Sequence, residues 1–150
     1  MGADGAKRTE EKLTMQEKVA RGRLPVAELV GFRITEAAGG RAVADFEAGP
    51  QHANLNGTLH GGILCDVSDA AMGLAFATTI EGDQSFTTIE LKINYFRPVW
   101  KARLRAEARV VRRGKTVGYV ECDVTDEAGR LVAKASSTCM VIDGNRAAGR

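Results

Sequence analysis

An aspartate stands near the middle of a stretch of the chain that is otherwise almost entirely apolar. Residues 60–79 contain no proline, read HGGILCDVSDAAMGLAFATT, and are long enough for a helix of about five turns. On a helical wheel Asp69 falls within an apolar stripe formed by Cys65, Met72 and Phe76. A carboxylate there is costly unless it is paired or functional, so Asp69 is a candidate for catalysis or a hydrogen-bonded structural group. Asp66 is predicted to be a solvated carboxylate near the helix start.

The start of this predicted helix, His60-Gly61-Gly62, follows a loop rich in turn-forming residues. The first N–H groups of a helix lack internal partners and carry the positive end of its dipole. Glycine allows a ligand carbonyl to approach that backbone closely. Such a site can stabilise an oxyanion, and one donor contributes roughly 10²- to 10³-fold in rate. The alternative is that the two glycines only permit a tight turn from loop to helix.

These residues stand at fixed spacing from other polar residues. The pattern is Asn54-x-x-Gly57-x-x-His60-Gly61-Gly62, then Asp69, then Thr88 and Tyr95-x-x-Pro98. It resembles the hotdog-fold acyl-CoA thioesterases of the 4-hydroxybenzoyl-CoA thioesterase superfamily, most of all the PaaI-like and THEM-like branch. The resemblance covers about residues 31–142, and the combined spacing is more specific than any of its parts.

The resemblance implies a role for each matching position. Asp69 would act as a nucleophile or as a general base on water, and the N–H of Gly61 would polarise the thioester carbonyl. His60 and Asn54 would hold the loop or orient the attacking water, and the hydroxyl of Thr88 would assist hydrolysis. The reaction needs no metal and no cofactor beyond the coenzyme A of the substrate. The family also implies an active site shared across a homodimer, with dimers often paired into tetramers.

Charge is unevenly distributed along the chain. Residues 36–83 hold seven acids and one base, whereas residues 97–115 hold eight bases and one acid. A local basic surface could bind the phosphates of coenzyme A. The predicted coenzyme A contacts are Gly62, Arg97, Arg113, Gly114 and Lys115. Some of the other bases share the outer face of one strand and are expected only to solvate it, namely Arg103, Arg105 and Arg109.

The remaining sequence predicts the elements that position these residues. Two strands, at 31–38 and 41–46, flank the hairpin signal Gly39-Gly40. After the helix come four strand candidates joined by short turns, at about 89–96, 103–110, 115–125 and 130–142, which should pair antiparallel. This order predicts an α+β hotdog fold, a long central helix wrapped by an antiparallel sheet of about five to six strands.

The predicted helix is apolar on two sides. A second stripe, roughly opposite the first, consists of Ile63, Val67, Ala70, Leu74 and Ala77. One side would face the sheet and the other a partner subunit, with Met72 and Phe76 lining the acyl pocket. Residues 1–30 are predicted to form an N-terminal segment with a peripheral helix at about 10–22, and residues 143–150 a flexible tail.

Composition excludes several other classes of protein. The 150 residues fit one domain, and the net charge of +2 gives no general basic surface for nucleic acid. Three cysteines and two histidines are too few and scattered for a zinc site, and the odd cysteine count fits a reducing compartment, so we expect a cytoplasmic protein. Two aspartates near its centre make the apolar stretch a poor membrane span, and no membrane partner is expected.

Two alternatives to a thioesterase remain at this stage. The hotdog fold also hosts acyl-thioester hydratases and dehydratases, which usually pair a histidine with a carboxylate; here His60 stands beside the glycines instead. The other alternative is a non-catalytic acyl-CoA-binding sensor, which would have no need for Asn54, Asp69 and Thr88 together.

Overall fold

An antiparallel sheet wraps one long helix in the computed structural model, which describes residues 13–144. Within that range the sheet has six strands, confirming the predicted α+β hotdog architecture. The helices are α1 (Met15–Arg21), α2 (Pro25–Val30) and α3 (Gly61–Ala77), with a short 3₁₀ turn at Pro50–His52. The strands are β1 (Phe32–Ala38), β2 (Arg41–Ala48), β3 (Ser85–Tyr95), β4 (Ala102–Arg113), β5 (Val117–Asp126) and β6 (Leu131–Ile142).

The strand order is β1-β2-β4-β5-β6-β3, and every pairing is antiparallel. Consecutive strands are neighbours except at β3, which is next to neither β2 nor β4, since it pairs with β6 and forms an edge of the sheet. The connection between β3 and β4 contains Pro98, which has no N–H for a ladder. The end of β3 lies beside the start of α3 rather than beside β4.

The predicted β1–β2 hairpin is confirmed at Gly39-Gly40. Both glycines have positive φ, 57° and 79°, as a two-residue primed turn requires. The Gly40 carbonyl accepts from the Val110 N–H at 2.7 Å, and its own N–H donates to Thr78 Oγ1 at 2.7 Å. The hairpin is thus fixed to β4 and to the C-terminal end of α3.

One face of α3 packs into the core at intervals of three and four residues. The buried apolar side chains on the helix include Leu64, Val67, Ala71, Met72, Ala75 and Phe76. The prediction that Met72 and Phe76 line an acyl pocket on the far side is therefore wrong, since both are 0% exposed. Because this helix is apolar on almost every side, a helical wheel shows no clear boundary between the face toward the sheet and the opposite face. The predicted core face was therefore rotated from the observed one by about one residue position.

The opposite face of α3 remains partly open in the single chain. Asp66 and Asp69 are exposed, and the small residues around them, Gly62, Cys65, Ala70 and Gly73, are half-buried. Both helix carboxylates therefore lie on the face of α3 that is open to solvent in the single chain.

The N-terminal segment packs onto the same helix. Thr14 and Glu17 form a capping box that starts α1, which covers the described part of the predicted peripheral helix. The side-chain amide of Gln16 donates to the Ile80 carbonyl just after α3. The second helix, α2, was not predicted from the sequence, and it adds Ala27 and Val30 to the core. The predicted tail lies mostly outside the described residues, among which no helix is long and apolar enough to cross a membrane.

Candidate active site

The N-terminus of α3 offers one free backbone donor. His60 is the N-cap, and its Nδ1 accepts from the Gly62 N–H at 2.9 Å while its carbonyl accepts from the Ile63 N–H at 3.1 Å. Within residues 13–144 nothing accepts a hydrogen bond from the Gly61 N–H. Helix N-terminal N–H groups favour negative charge. The Gly61 N–H is thus available to a developing oxyanion.

Asn54 organises the loop that delivers this donor. Its Oδ1 accepts from the N–H groups of Asn56 and Thr58, at 2.9 and 3.2 Å, and its Nδ2 donates to Thr58 Oγ1 at 2.9 Å. The Leu59 N–H donates to the Val99 carbonyl at 2.6 Å, which ties the loop to the segment between β3 and β4. The resemblance implies that Asn54 holds the loop or orients the attacking water. These hydrogen bonds fit the first role, holding the loop.

His52, which the sequence left without a role, anchors the same loop. Its ring is buried, accepts from the Gly49 N–H at 3.0 Å and lies 2.9 Å from the Val30 carbonyl. It packs edge-on against Phe46, with ring centroids 4.8 Å apart. Its own carbonyl accepts from the His60 N–H at 2.8 Å, so the N-cap is held by a rigid neighbour.

Tyr95, at the end of β3, contacts Gly61, the residue that carries the free N–H. Its hydroxyl donates to the Gly61 carbonyl at 2.9 Å and lies 3.3 Å from the sulfur of Cys65. Cys65, which the helical wheel places in the same apolar stripe as Asp69, is half-buried at this contact. An open cavity of about 410 Å³ lies here, lined by Asn54, Leu59, Gly61, Tyr95, Arg97 and Val99. The structure therefore brings Asn54, Gly61 and Arg97 together at one cavity.

Asp69 lies apart from this cavity. It is eight residues beyond Gly61 on α3, which is about 12 Å along the helix axis. Partial burial raises the pKa of its carboxyl, and the charge of Asp66 raises it further. A raised pKa makes Asp69 a stronger base than an ordinary aspartate.

Thr88 belongs with Asp69 rather than with Gly61. It pairs across the sheet with Cys139 of β6, and the side chain of Thr88 is exposed. Burial raises the pKa of the Cys139 thiol, hydrogen bonds from Ser137 and Thr88 lower it, and the charge of Asp69 raises it. Thr88 projects from the same face of the sheet as its cross-strand partner Cys139, the face against which α3 packs. The candidate catalytic residues form two groups in one chain: Asn54, His60 and Gly61 at the helix start, and Asp69 with Thr88 further along.

The family profile of the thioesterase superfamily matches residues 56–133, more than half of the chain and all of α3. The chain belongs to the thioesterase superfamily. A Saccharolobus solfataricus protein with the provisional name of an esterase is 37% identical over 103 residues, 69% of this chain and 73% of that protein. Human acyl-coenzyme A thioesterase 13 is 29% identical over 110 residues, 70% of this chain and 76% of that protein.

Solved structures agree with this assignment. A variant of the phenylacetic acid degradation protein PaaI from Thermus thermophilus superposes with a TM-score of 0.73 at 31% identity, covering 78% of this chain and 98% of that one. The chain is therefore a PaaI-like, hotdog-fold thioester hydrolase.

A thioesterase needs an oxyanion donor and either a base or a nucleophile, and both kinds of group are present. The Gly61 N–H is the candidate donor, and Asp69 is the candidate base or nucleophile. Within residues 13–144 no three His, Cys, Asp or Glu side chains converge closely enough to hold a metal ion.

The predicted basic contacts of this thioesterase divide between the two ends of α3. Arg97 lies at the cavity beside Gly61. Arg113 donates from Nε to Thr79 Oγ1 at 3.2 Å and stacks over the Phe76 ring at 5.2 Å, at the other end of the helix. Gly114 donates to the Val117 carbonyl in the turn before β5, and Lys115 is exposed. One chain does not bring these three to Gly61 and Gly62, so their contact with coenzyme A stays a prediction.

Two of the three strand arginines expected to solvate the outer sheet face take part in ion pairs there. Arg105 contacts Asp45 and Glu107, at 3.3 and 2.8 Å, and Arg109 contacts Glu121 at 3.2 Å. These pairs offset the charge of two of the five arginines of β4.

Proposed function

We propose that this thioesterase hydrolyses acyl- or aryl-CoA thioesters to a free acid and coenzyme A in the cytoplasm, at an active site shared by two copies of the chain. The carrying observation is the separation of about 12 Å between Gly61 and Asp69 along one rigid helix. A single thioester carbonyl cannot contact both groups of one chain. A second copy that presents its exposed α3 face supplies the missing group, and dimers of this kind can pair further into tetramers.

In the proposed reaction the Gly61 N–H of one chain binds the thioester oxygen. Asp69 of the other chain either activates a water molecule or itself attacks the carbonyl carbon. As a general base, Asp69 takes a proton from water while the oxygen of that water attacks the carbon. As a nucleophile, Asp69 attacks directly and water then hydrolyses the anhydride. On either path the C–S bond breaks and the thiolate of coenzyme A takes up a proton. The Thr88 hydroxyl assists hydrolysis in this proposal, as the resemblance implies, and the proposed reaction uses no cofactor.

Two observations support a coenzyme A thioester as the substrate. Arg97 lines the cavity beside Gly61, and the human relative is an acyl-coenzyme A thioesterase by name. A hydratase usually pairs a histidine with a carboxylate, but within residues 13–144 no carboxylate contacts the His60 ring, whose Nδ1 accepts from the Gly62 N–H at 2.9 Å. This capping role favours hydrolysis over hydration.

A panel of acyl-CoA substrates with a thiol-detecting dye tests the activity. We expect free thiol from at least one phenylacetyl, hydroxybenzoyl or aliphatic thioester, and at least a 100-fold loss in Asp69→Asn. Asp66→Asn is the matched control, because it removes the same charge one turn earlier, and it should retain turnover. Binding of acyl-CoA without thiol release would identify a sensor instead, and wild-type turnover in Asp69→Asn would exclude the assigned base.

Complementation tests the shared site. Gly61→Pro removes the N–H donor, and Asp69→Asn removes the carboxylate, so each variant alone should lose about 100-fold or more in rate. When the two chains are co-expressed, a mixed dimer has one site with both native groups, and activity should return. A site contained within one chain would give no recovery.

A further inference from the structure

The contact between Tyr95 and Gly61 has no part in the proposed hydrolysis steps. Tyr95 is the last residue of β3, and its ring lies directly over the first turn of α3. A Cβ added at Gly61 would meet Cζ and Oη of Tyr95 at 2.8 Å, closer than real Cβ contacts. The absence of a side chain at position 61 therefore makes room for the tyrosine.

Tyr95 holds one side of a peptide group whose other side is held by His60. The hydroxyl of Tyr95 donates to the Gly61 carbonyl at 2.9 Å, and Nδ1 of His60 accepts from the Gly62 N–H at 2.9 Å. The Gly61 carbonyl and the Gly62 N–H belong to one peptide unit, which joins two glycines and directly follows the His60–Gly61 unit that carries the free N–H. Glycine has more backbone freedom than any other residue, so without these contacts the first turn would sample several orientations.

We propose that Tyr95 is a positioning residue that fixes the direction of the free Gly61 N–H toward the thioester oxygen. This role rests on the proposed function, since it concerns the oxyanion donor of that reaction. The sulfur of Cys65, 3.3 Å from the hydroxyl, restricts the tyrosine from the next turn of the helix. Burial, with the hydrogen bond and charge of Cys65, raises the pKa of Tyr95 to about 12, so the hydroxyl keeps its proton at neutral pH.

Tyr95→Phe tests the role because it keeps the ring and removes only the donor. A misdirected catalytic group can lose roughly 10- to 100-fold in rate, so we expect kcat to fall by that factor. KM should stay within about twofold, and the midpoint of thermal unfolding should change little because Tyr95 is half exposed. Tyr119→Phe, the same change at the exposed tyrosine of β5, is the matched control and should leave kcat unchanged. A loss of thermal stability with kcat preserved would mean a structural role only and would overturn the proposal.

A second measurement separates this proposal from the proposed function. The ¹³C resonance of the Gly61 carbonyl, assigned by its absence in Gly61→Ala, should move upfield in Tyr95→Phe when the hydrogen bond is lost. Wild-type kcat in Tyr95→Phe, with Asp69→Asn inactive, would overturn the positioning role and leave the function standing. If the wild-type chain releases no thiol, the function fails, and an unmoved Gly61 resonance would then show independently that the contact is absent.

Discussion

Partial burial raises the pKa of Asp69, and the negative charge of Asp66, one helical turn earlier on α3, raises it further. Like charges three residues apart on a helix repel each other, so ionisation of Asp69 is opposed by its own helix. This arrangement gives the carboxylate more basic strength than a solvated aspartate would have. The proposed reaction therefore uses Asp69 and not Asp66, although both lie on the exposed face.

Replacing Asp66 should alter the pH dependence of hydrolysis. Asp66→Asn removes the charge that opposes ionisation, so the pKa of Asp69 falls and the acid limb of the kcat/KM profile shifts to lower pH. The measurement is kcat/KM against pH for wild type and variant. Glu28→Gln removes an equal charge from α2 and should leave the limb in place. An unshifted limb in Asp66→Asn would mean that Asp69 is not the titrating base.

Asp69→Asn should raise the free energy of unfolding near neutral pH while it abolishes hydrolysis. The folded pKa of Asp69 is above its unfolded value, so ionisation destabilises the folded chain as pH rises through the folded pKa. Below the unfolded pKa, about 3.9, the carboxyl is protonated in both states and the penalty vanishes. Denaturant unfolding at several pH values should show the gain growing with pH. A gain that does not depend on pH would contradict this cause.

The sequence predicts the layout of the fold well, because strand alternation and the two glycines of the β1–β2 hairpin are local signals. The order of the strands was harder to predict, since the pairing of β3 with β6 depends on how α3 occupies the sheet. The core face of α3 was misjudged for a related reason. Phe76 and Asp69 lie on different faces, yet an almost uniformly apolar helix shows no polar boundary between them.

The candidate site was predicted in its residue types and only in part in its arrangement. The spacing from Asn54 to Gly62 is local and predicts a loop that caps a helix. The contact of Tyr95 with Gly61 joins positions 34 residues apart, so the motif could mark Tyr95 without giving its role. Arg113 was singled out for its charge, but its packing on Phe76 follows from tertiary structure.

Two substitutions at Gly61 should separate the role of the N–H from that of the missing side chain. Gly61→Pro removes the N–H at the first helical position, where proline is well tolerated, and should lower kcat roughly 10²- to 10³-fold. Gly61→Ala keeps the N–H but places a Cβ 2.8 Å from Tyr95, so the ring must move. Steady-state kinetics should therefore give a smaller loss for alanine. Equal losses would assign the whole effect to the side chain and exclude the N–H as the oxyanion donor.

Gly118→Ala should destabilise the fold because β5 has no room for a Cβ there. The added carbon would lie 2.2 Å from Cε2 of Phe76, whose ring is fully buried and packs edge-on against Phe86 at 5.2 Å. Overpacking of this kind costs about 1–3 kcal/mol. Gly73→Ala is the matched control, since its Cβ would meet only Phe86 at 3.9 Å. An alanine in the middle of a helix should stabilise by roughly 0.5–1 kcal/mol. Denaturant unfolding of both variants should thus give changes of opposite sign, and equal stability of Gly118→Ala and wild type would show that Phe76 has room to move.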